Sequence, residues 1–284
     1  MGCAAVWGLF WIPLRFLQSN GFEGAWATVA YFAVGVIVLV PIMVFRRKQL
    51  RAGGYRLVVV SLFAGGAIAL STLSYLYTTV TKTLLIFYLT PVWSTLLGHF
   101  LLNEKLTTRR ILAIVLGLAG LWVILAKSGQ LPIPQNIGDW IALAAGVFWA
   151  FAAVGLRKTS FGVLEYLNAF MLSALSVSLL MLFLGGEWKT FPDVGGLSTL
   201  SLMVLAAVAI ASLPVNGLIL WSATKLSPGR VGLLMLFEVV VGIAVAALIT
   251  EELYGIVEVT GTILILTAAA VDTGPVQYKE KRSR

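Results

Sequence analysis

The chain has 284 residues, 60% of them hydrophobic and only 11% charged, with a formal net charge of +8. A soluble domain carries about 25% charged residues, so there is too little polar side chain here to cover a water-soluble surface of this size. One histidine and one cysteine exclude a multi-histidine metal centre and an intrachain disulfide.

Apolar runs separated by short polar breaks predict an all-α, polytopic membrane protein with ten transmembrane helices. The expected spans are 3–18, 24–45, 56–78, 83–102, 109–126, 139–157, 164–184, 198–223, 230–249 and 254–272. The first run has no basic n-region and no A-x-A-like cleavage site, and reads as a span and not a signal peptide. The polar stretch 274–284 reads as a cytoplasmic tail.

Lysine and arginine set the expected orientation, since they concentrate in cytoplasmic loops. With the N-terminus inside, the inner side receives Arg46, Arg47, Lys48, Arg51, Arg56, Lys105, Arg109, Arg110, Arg157, Lys158, Lys225 and Arg230. Lys279, Lys281, Arg282 and Arg284 join them, and only Arg15, Lys82, Lys127 and Lys189 fall outside. Both termini are then cytoplasmic. The positive charge reads as an orientation signal facing anionic headgroups, and no nucleic-acid site is expected.

Five spans per half is odd, so a duplicated half must lie inverted. The run AAVWGLFWIPLR (4–15) echoes GVFWAFAAVGLR (146–157), matching Trp7 with Trp149. The run from Lys82 to Glu104 echoes that from Gly229 to Glu252, and aligning Glu104 with Glu251 sets Pro91 opposite Glu238. This predicts an inverted five-plus-five repeat over 1–127 and 138–273. Inverted repeats are the usual architecture of secondary transporters, with the cargo site near the midplane.

Helix rise places the marked residues. Pro91 lies ~13 Å from the outer edge, Glu238 ~12 Å from the inner edge, and Trp7 and Trp149 ~15 Å deep. A carboxylate at the depth of Glu238 is costly. It either meets a cargo ammonium or carries a coupling proton, or it sits protonated against a neighbouring carbonyl or hydroxyl. Pro91 kinks its helix, and Tyr88, Pro91, Thr95 and the Gly98/His99 pair share one helical face. That face reads as a cavity wall or hinge, or as a static kink. His99, near the cytoplasmic end, is a second coupling candidate or a satisfied interfacial histidine. Ser71, Ser74, Tyr75 and Thr78 form one polar stripe on the third span, lining the cavity or bonding to adjacent helices. Lys82 meets a cargo carboxylate or extends to headgroups. Asn216 is a cavity polar group or helix–helix glue, and Trp7 and Trp149 are stacking walls or packing.

Other chemistry leaves no mark. There is no G-x-x-x-x-G-K-[ST], H-E-x-x-H or G-x-S-x-G. Asp272-Thr273-Gly274 occurs once without a partner aspartate. No enzyme activity, cofactor or metal is expected.

The W-G of the first span, the P-V-W-S…N-E-K-L closing the fourth, and the order and spacing of the repeats resemble the drug/metabolite transporter superfamily, in chains of two EamA-type repeats. LLIFYLTPVW (84–93) and LSPGRVGLLMLFEVVVG (226–242) resemble its bacterial amino-acid exporter branch more particularly, including carriers of aromatic amino acids. The resemblance implies an inner-membrane secondary carrier that exports amino acids or related metabolites by alternating access, with protons as a candidate coupling ion. The third, fourth, eighth and ninth spans are the expected moving parts. Trp7, Tyr75, Tyr88 and Trp149 would pack the cargo's apolar body, Ser71, Thr78 and Asn216 would bond its polar groups, and Pro91 would flex. An uncoupled facilitator or pore, or a drug or other-metabolite carrier of the same fold, are the alternatives. Coupling ion and oligomeric state carry no sequence mark.

Overall fold

The computed structural model describes residues 2–22, 25–125, 133–189, 197–250 and 255–272. The expected tail, Lys127 and Glu251 lie outside these residues. The helices are α1 (Gly2–Trp7), α2 (Trp11–Ser19), α3 (Ala25–Phe45), α4 (Arg47–Tyr77), α5 (Val80–Phe87), α6 (Thr90–Leu102) and α7 (Thr108–Leu125). They continue as α8 (Ile137–Lys158), α9 (Val163–Leu184), α10 (Thr199–Lys225), α11 (Pro228–Met235), α12 (Phe237–Thr250) and α13 (Ile256–Val271). Among the described residues, seven stretches are long and apolar enough to cross a bilayer, and Ile256–Val271 is a shorter apolar helix.

The predicted apolar runs become helices, but three of them are interrupted. The first divides into α1 and α2 around Gly8. The fourth divides into α5 and α6 at Tyr88–Leu89, just ahead of Pro91, which lacks an N–H and cannot continue the ladder. The ninth divides into α11 and α12 at Leu236 with no proline present. Position 89 corresponds to 236 in the alignment that sets Pro91 opposite Glu238, so the two echoed segments break at the same place. α4 starts earlier than expected and pivots at Gly54, whose φ of +52° is open to glycine at little cost.

Local signals set the helix ends. Thr79 caps α5 by accepting from the Lys82 N–H, Asn136 caps α8 through Asp139, and Ser198 caps α10 through Ser201. Asn103 ends α6 in the left-handed conformation, φ +57°.

Packing is close because the contact faces are small. Ala64, Ala67, Ala142, Ala145, Ala152, Ala153 and Ala174 are all buried. α4 lies against α8 and α9, α3 against α9 and α10, α6 against α8 and α11, α1 against α12 and α10, and α7 against α13. At the α7–α13 crossing Gly120 and Gly261 face each other, and a Cβ on either would meet the other's carbonyl oxygen at 2.6 Å. Small residues allow such close approach where lipid supplies no hydrophobic drive between helices. The outer faces are apolar, with Ile37, Val44, Phe100, Val115, Leu180, Met203 and Ile263 exposed. In water this exterior would be an aggregation surface; against acyl chains it is a matched solvent.

Candidate functional site: a closed seam between two broken helices

The two broken helices meet at their interruptions. The Tyr88 hydroxyl donates to Glu238 Oε2 at 2.5 Å. One turn away, Gly232 packs on Pro91, where a Cβ would come within 3.0 Å of the proline Cα. α1 closes the other side: a Cβ on Gly8 would lie 2.5 Å from the Glu238 carbonyl oxygen and 3.0 Å from the Gly242 nitrogen. Tyr88 is buried, whereas Glu238 is only partly so. The carboxylate's cost in hydrocarbon is met here by the Tyr88 hydroxyl.

Trp7, the neighbour of Gly8, and Met235, one turn before Glu238, line a narrow cavity together with Ile68, Trp149, Phe170, Asn216, Ile219 and Leu220, whereas Tyr88 and Glu238 themselves do not line it. It has room for about one water molecule. The lining is aromatic and aliphatic, and Asn216 is its one amide. Two donor atoms of its lining, Trp149 Nε1 and Asn216 Nδ2, are buried and make no hydrogen bond among the described residues. Tyr31 donates to Ser212 Oγ at 2.6 Å and turns its oxygen toward the Asn216 amide, which carries two N–H groups, so at least one of them is left for the cavity.

Each end of the seam is tied by an ion pair. At one end Lys82 Nζ lies 2.7 Å from Asp139 Oδ2 and donates to Gln135 Oε1 at 2.8 Å. Thr78 Oγ1 donates to Asp139 Oδ1 at 2.6 Å. Lys82 and Asp139 are 6% and 0% exposed, so this is a buried pair and not a headgroup contact. At the other end Asp272 receives Arg110 Nε at 2.6 Å and Arg230 Nε at 3.3 Å, while Arg110 Nη2 donates to Ser227 Oγ at 3.0 Å. Glu104, 5% exposed, sits beside this cluster, and burial raises its pKa against the lowering influence of Arg110, Arg157 and Arg230.

The sequence-marked residues thus separate into three groups. Trp7, Trp149 and Asn216 come together in the cavity. Tyr88, Pro91 and Glu238 meet at the helix breaks. Thr78 and Lys82 belong to the ion-paired end, where Lys82 is occupied by Asp139 and is not turned toward headgroups or an open cavity. Ser71 offers its carbonyl to Ser74 Oγ. His99 Nδ1 lies 2.7 Å from the Glu104 carbonyl oxygen, tying down the turn after α6. The Tyr75 side chain lies outside the described ones. Sequence reading missed Asp139 altogether and saw Asp272 only as an unpartnered triplet. Each is a lone acid at a helix end, and its cationic partners are far away in the chain. It also missed Ile68, Phe170, Ile219, Leu220 and Met235, which nothing separates from ordinary apolar residues.

Comparison with known proteins fits this arrangement. The EamA-like transporter family model matches residues 1–126 and 136–272. The "Uncharacterized transporter YoaV" of Bacillus subtilis (strain 168) is 28% identical over 184 residues, 62% of this chain and 62% of that protein. The match thus spans less than two thirds of that relative's length. A protein of known crystal structure superposes with a TM-score of 0.74 over 95% of this chain and 94% of that one, at 20% identity, a likeness of fold alone. The chain belongs to the EamA-like transporter family.

Proposed function

We propose that this transporter is a ten-span secondary carrier that exports aromatic or other hydrophobic amino acids, or close metabolites, across a bacterial inner membrane by alternating access. The observation that carries the reading is the cavity between Trp7 and Trp149, beside the Tyr88–Glu238 pair. An aromatic wall packs an apolar side chain, and the Glu238 carboxylate meets an ammonium or takes a coupling proton.

An inverted repeat is supported by reciprocal packing. α6 rests on α8 as α12 rests on α1, α4 on α9 as α10 on α3, and α3–α9 and α7–α13 pair like with like. The common break point of the echoed segments agrees. With the basic loops inside, the Lys82–Asp139 end faces outward and the Asp272 cluster faces the cytoplasm. Alternating access then opens one ion-paired end while the other holds, with the breaks at Tyr88 and Leu236 as flex points. A permanently open pore fits poorly with a cavity of this size tied at both ends.

The test is flux of labelled phenylalanine from reconstituted vesicles, with and without a pH gradient, for wild type and Glu238→Gln. Saturable flux, competed by tryptophan and driven by the gradient only with Glu238 intact, supports the coupled carrier. Saturable flux indifferent to both makes the protein a facilitator. If no aromatic amino acid moves, the cargo assignment is wrong.

A further inference from the structure

The two unsatisfied N–H groups constrain the cargo more tightly than the cavity's shape does. A buried donor without an acceptor costs the full desolvation of that group, and such atoms in a native protein call for an explanation. Trp149 Nε1 and Asn216 Nδ2 lie on α8 and α10, and both residues line the same cavity. They are 2% and 3% exposed. Had the cavity only to accept an apolar body, phenylalanine and leucine at these positions would do so without orphaned donors.

We propose that Asn216 and Trp149 form a subsite that reads a hydrogen-bond acceptor on the cargo, namely the oxygen of an amino-acid carboxylate. This rests on the amino-acid reading above and gives the bound molecule an orientation: carboxylate toward Asn216 and Trp149, ammonium toward Glu238, side chain against Trp7 and Phe170. No cation lines the cavity, and Lys82, the nearest sequence candidate for that role, is held by Asp139. Two neutral donors alone hold an isolated anion poorly. They suit a zwitterion whose positive end is met by Glu238. A simple carboxylic acid without the ammonium is therefore a poor cargo, and so is an amine without the acceptor. Asn216 and Trp149 are specificity residues in this scheme. A site that presents buried donors rejects analogues unable to satisfy them.

The test is competition against labelled phenylalanine flux by unlabelled phenylalanine, phenylalaninamide (carbonyl oxygen kept, charge removed) and phenethylamine (acceptor removed). Wild type, Asn216→Leu and Trp149→Phe are compared. In wild type, phenethylamine should compete at least about tenfold more weakly than phenylalanine, with phenylalaninamide between them. Asn216→Leu should collapse that ratio to about twofold or less, by weakening phenylalanine and leaving phenethylamine unchanged. Trp149→Phe, which keeps the ring and removes the N–H, should narrow it in the same sense. Equal weakening of all three competitors, or no change in the ratio, overturns the subsite.

The cargo reading can fail separately, and thermal stabilisation of the purified protein keeps the two apart. Amino acids are paired with their decarboxylated amines: phenylalanine with phenethylamine, leucine with 3-methylbutylamine, tryptophan with tryptamine. An acceptor-bearing member that stabilises beyond its amine in wild type but not in Asn216→Leu upholds the subsite whichever amino acid is moved. If no pair shows that difference, the proposal is wrong.

Discussion

The Tyr88 hydroxyl and the Glu238 carboxylate meet where two separate helices are broken, α5 from α6 and α11 from α12. A helix break frees backbone groups inside the membrane, which is tolerated only against protein or a water-filled space. Here the same place hosts the carboxylate, the tyrosine and the proline–glycine contact of Pro91 with Gly232. Backbone irregularity and a side-chain carboxylate therefore coincide at this level of the bundle.

Tyr88→Phe removes the donor and leaves the carboxylate oxygen without it. The expected loss is about 1–3 kcal/mol, the range for a buried group deprived of its partner. Glu238→Gln keeps an acceptor for the tyrosine and should cost less. The double variant should lose less than the sum of the singles, because they share one interaction. Thermal unfolding of the four proteins in detergent measures the cycle, and strict additivity would show that the contact contributes nothing.

Lys82 and Asp139 make the second prediction. Lys82→Met strands a fully buried carboxylate, and breaking a buried pair from one side costs about 3–5 kcal/mol. Asp139 keeps hydrogen bonds from Thr78 and from the Gln135 backbone, so the loss should fall at the lower end. Removing both charges together, Lys82→Met with Asp139→Leu, should recover most of the stability. If the pair also closes the outer end, the double variant should fold yet leak cargo without saturation. Normal saturable flux from it would reduce the pair to a structural contact.

The parts of this molecule legible in sequence are those with a period or a composition. Apolar runs placed the helices, and the proline placed the α5–α6 break, because both act locally. The α11–α12 break has no local breaker. It appears only when the two echoed segments are set side by side, and it reflects what packs against them. The repeated tryptophans, Trp7 and Trp149, were legible because duplication marks a position twice. Lys82 was legible as a charge, but its partner Asp139 was not: nothing local links the first turn of α8 to the start of α5. The apolar lining from Ile68 to Met235 was equally unreadable, since a leucine facing a cavity and one facing lipid are the same letter.

Gly8 carries a third prediction. Its missing Cβ lets α1 approach the backbone of α12 at Glu238 and Gly242. Gly8→Val places methyl groups against backbone that cannot yield, so α1 must withdraw from the pair it covers. Overpacking of this kind costs about 1–3 kcal/mol. Gly217→Ala is the control, since its Cβ would meet Val163 Cγ1 at an ordinary 3.5 Å. Thermal unfolding should separate the two, and equal tolerance would mean that α1 is not seated as described.

Glu104 gives the fourth, and here the direction with pH decides. Burial raises its pKa, with Asp272 adding to the rise and Arg110, Arg157 and Arg230 opposing it. In the unfolded chain the same carboxyl ionises at its ordinary value. As pH climbs through the interval between the two, the unfolded state releases its proton and the folded state keeps its own. The folded state then binds more protons, and stability falls with rising pH. Glu104→Gln abolishes that decline. The variant should match wild type in acid, where both side chains are neutral, and become progressively the more stable above the ordinary carboxylate range. Midpoints of unfolding across pH 4–8 measure the difference. A wild-type profile that instead rises against the variant's through the ordinary carboxylate range would mean that the three arginines hold Glu104 ionised, and would make it a fourth member of the ion-paired cluster at Asp272.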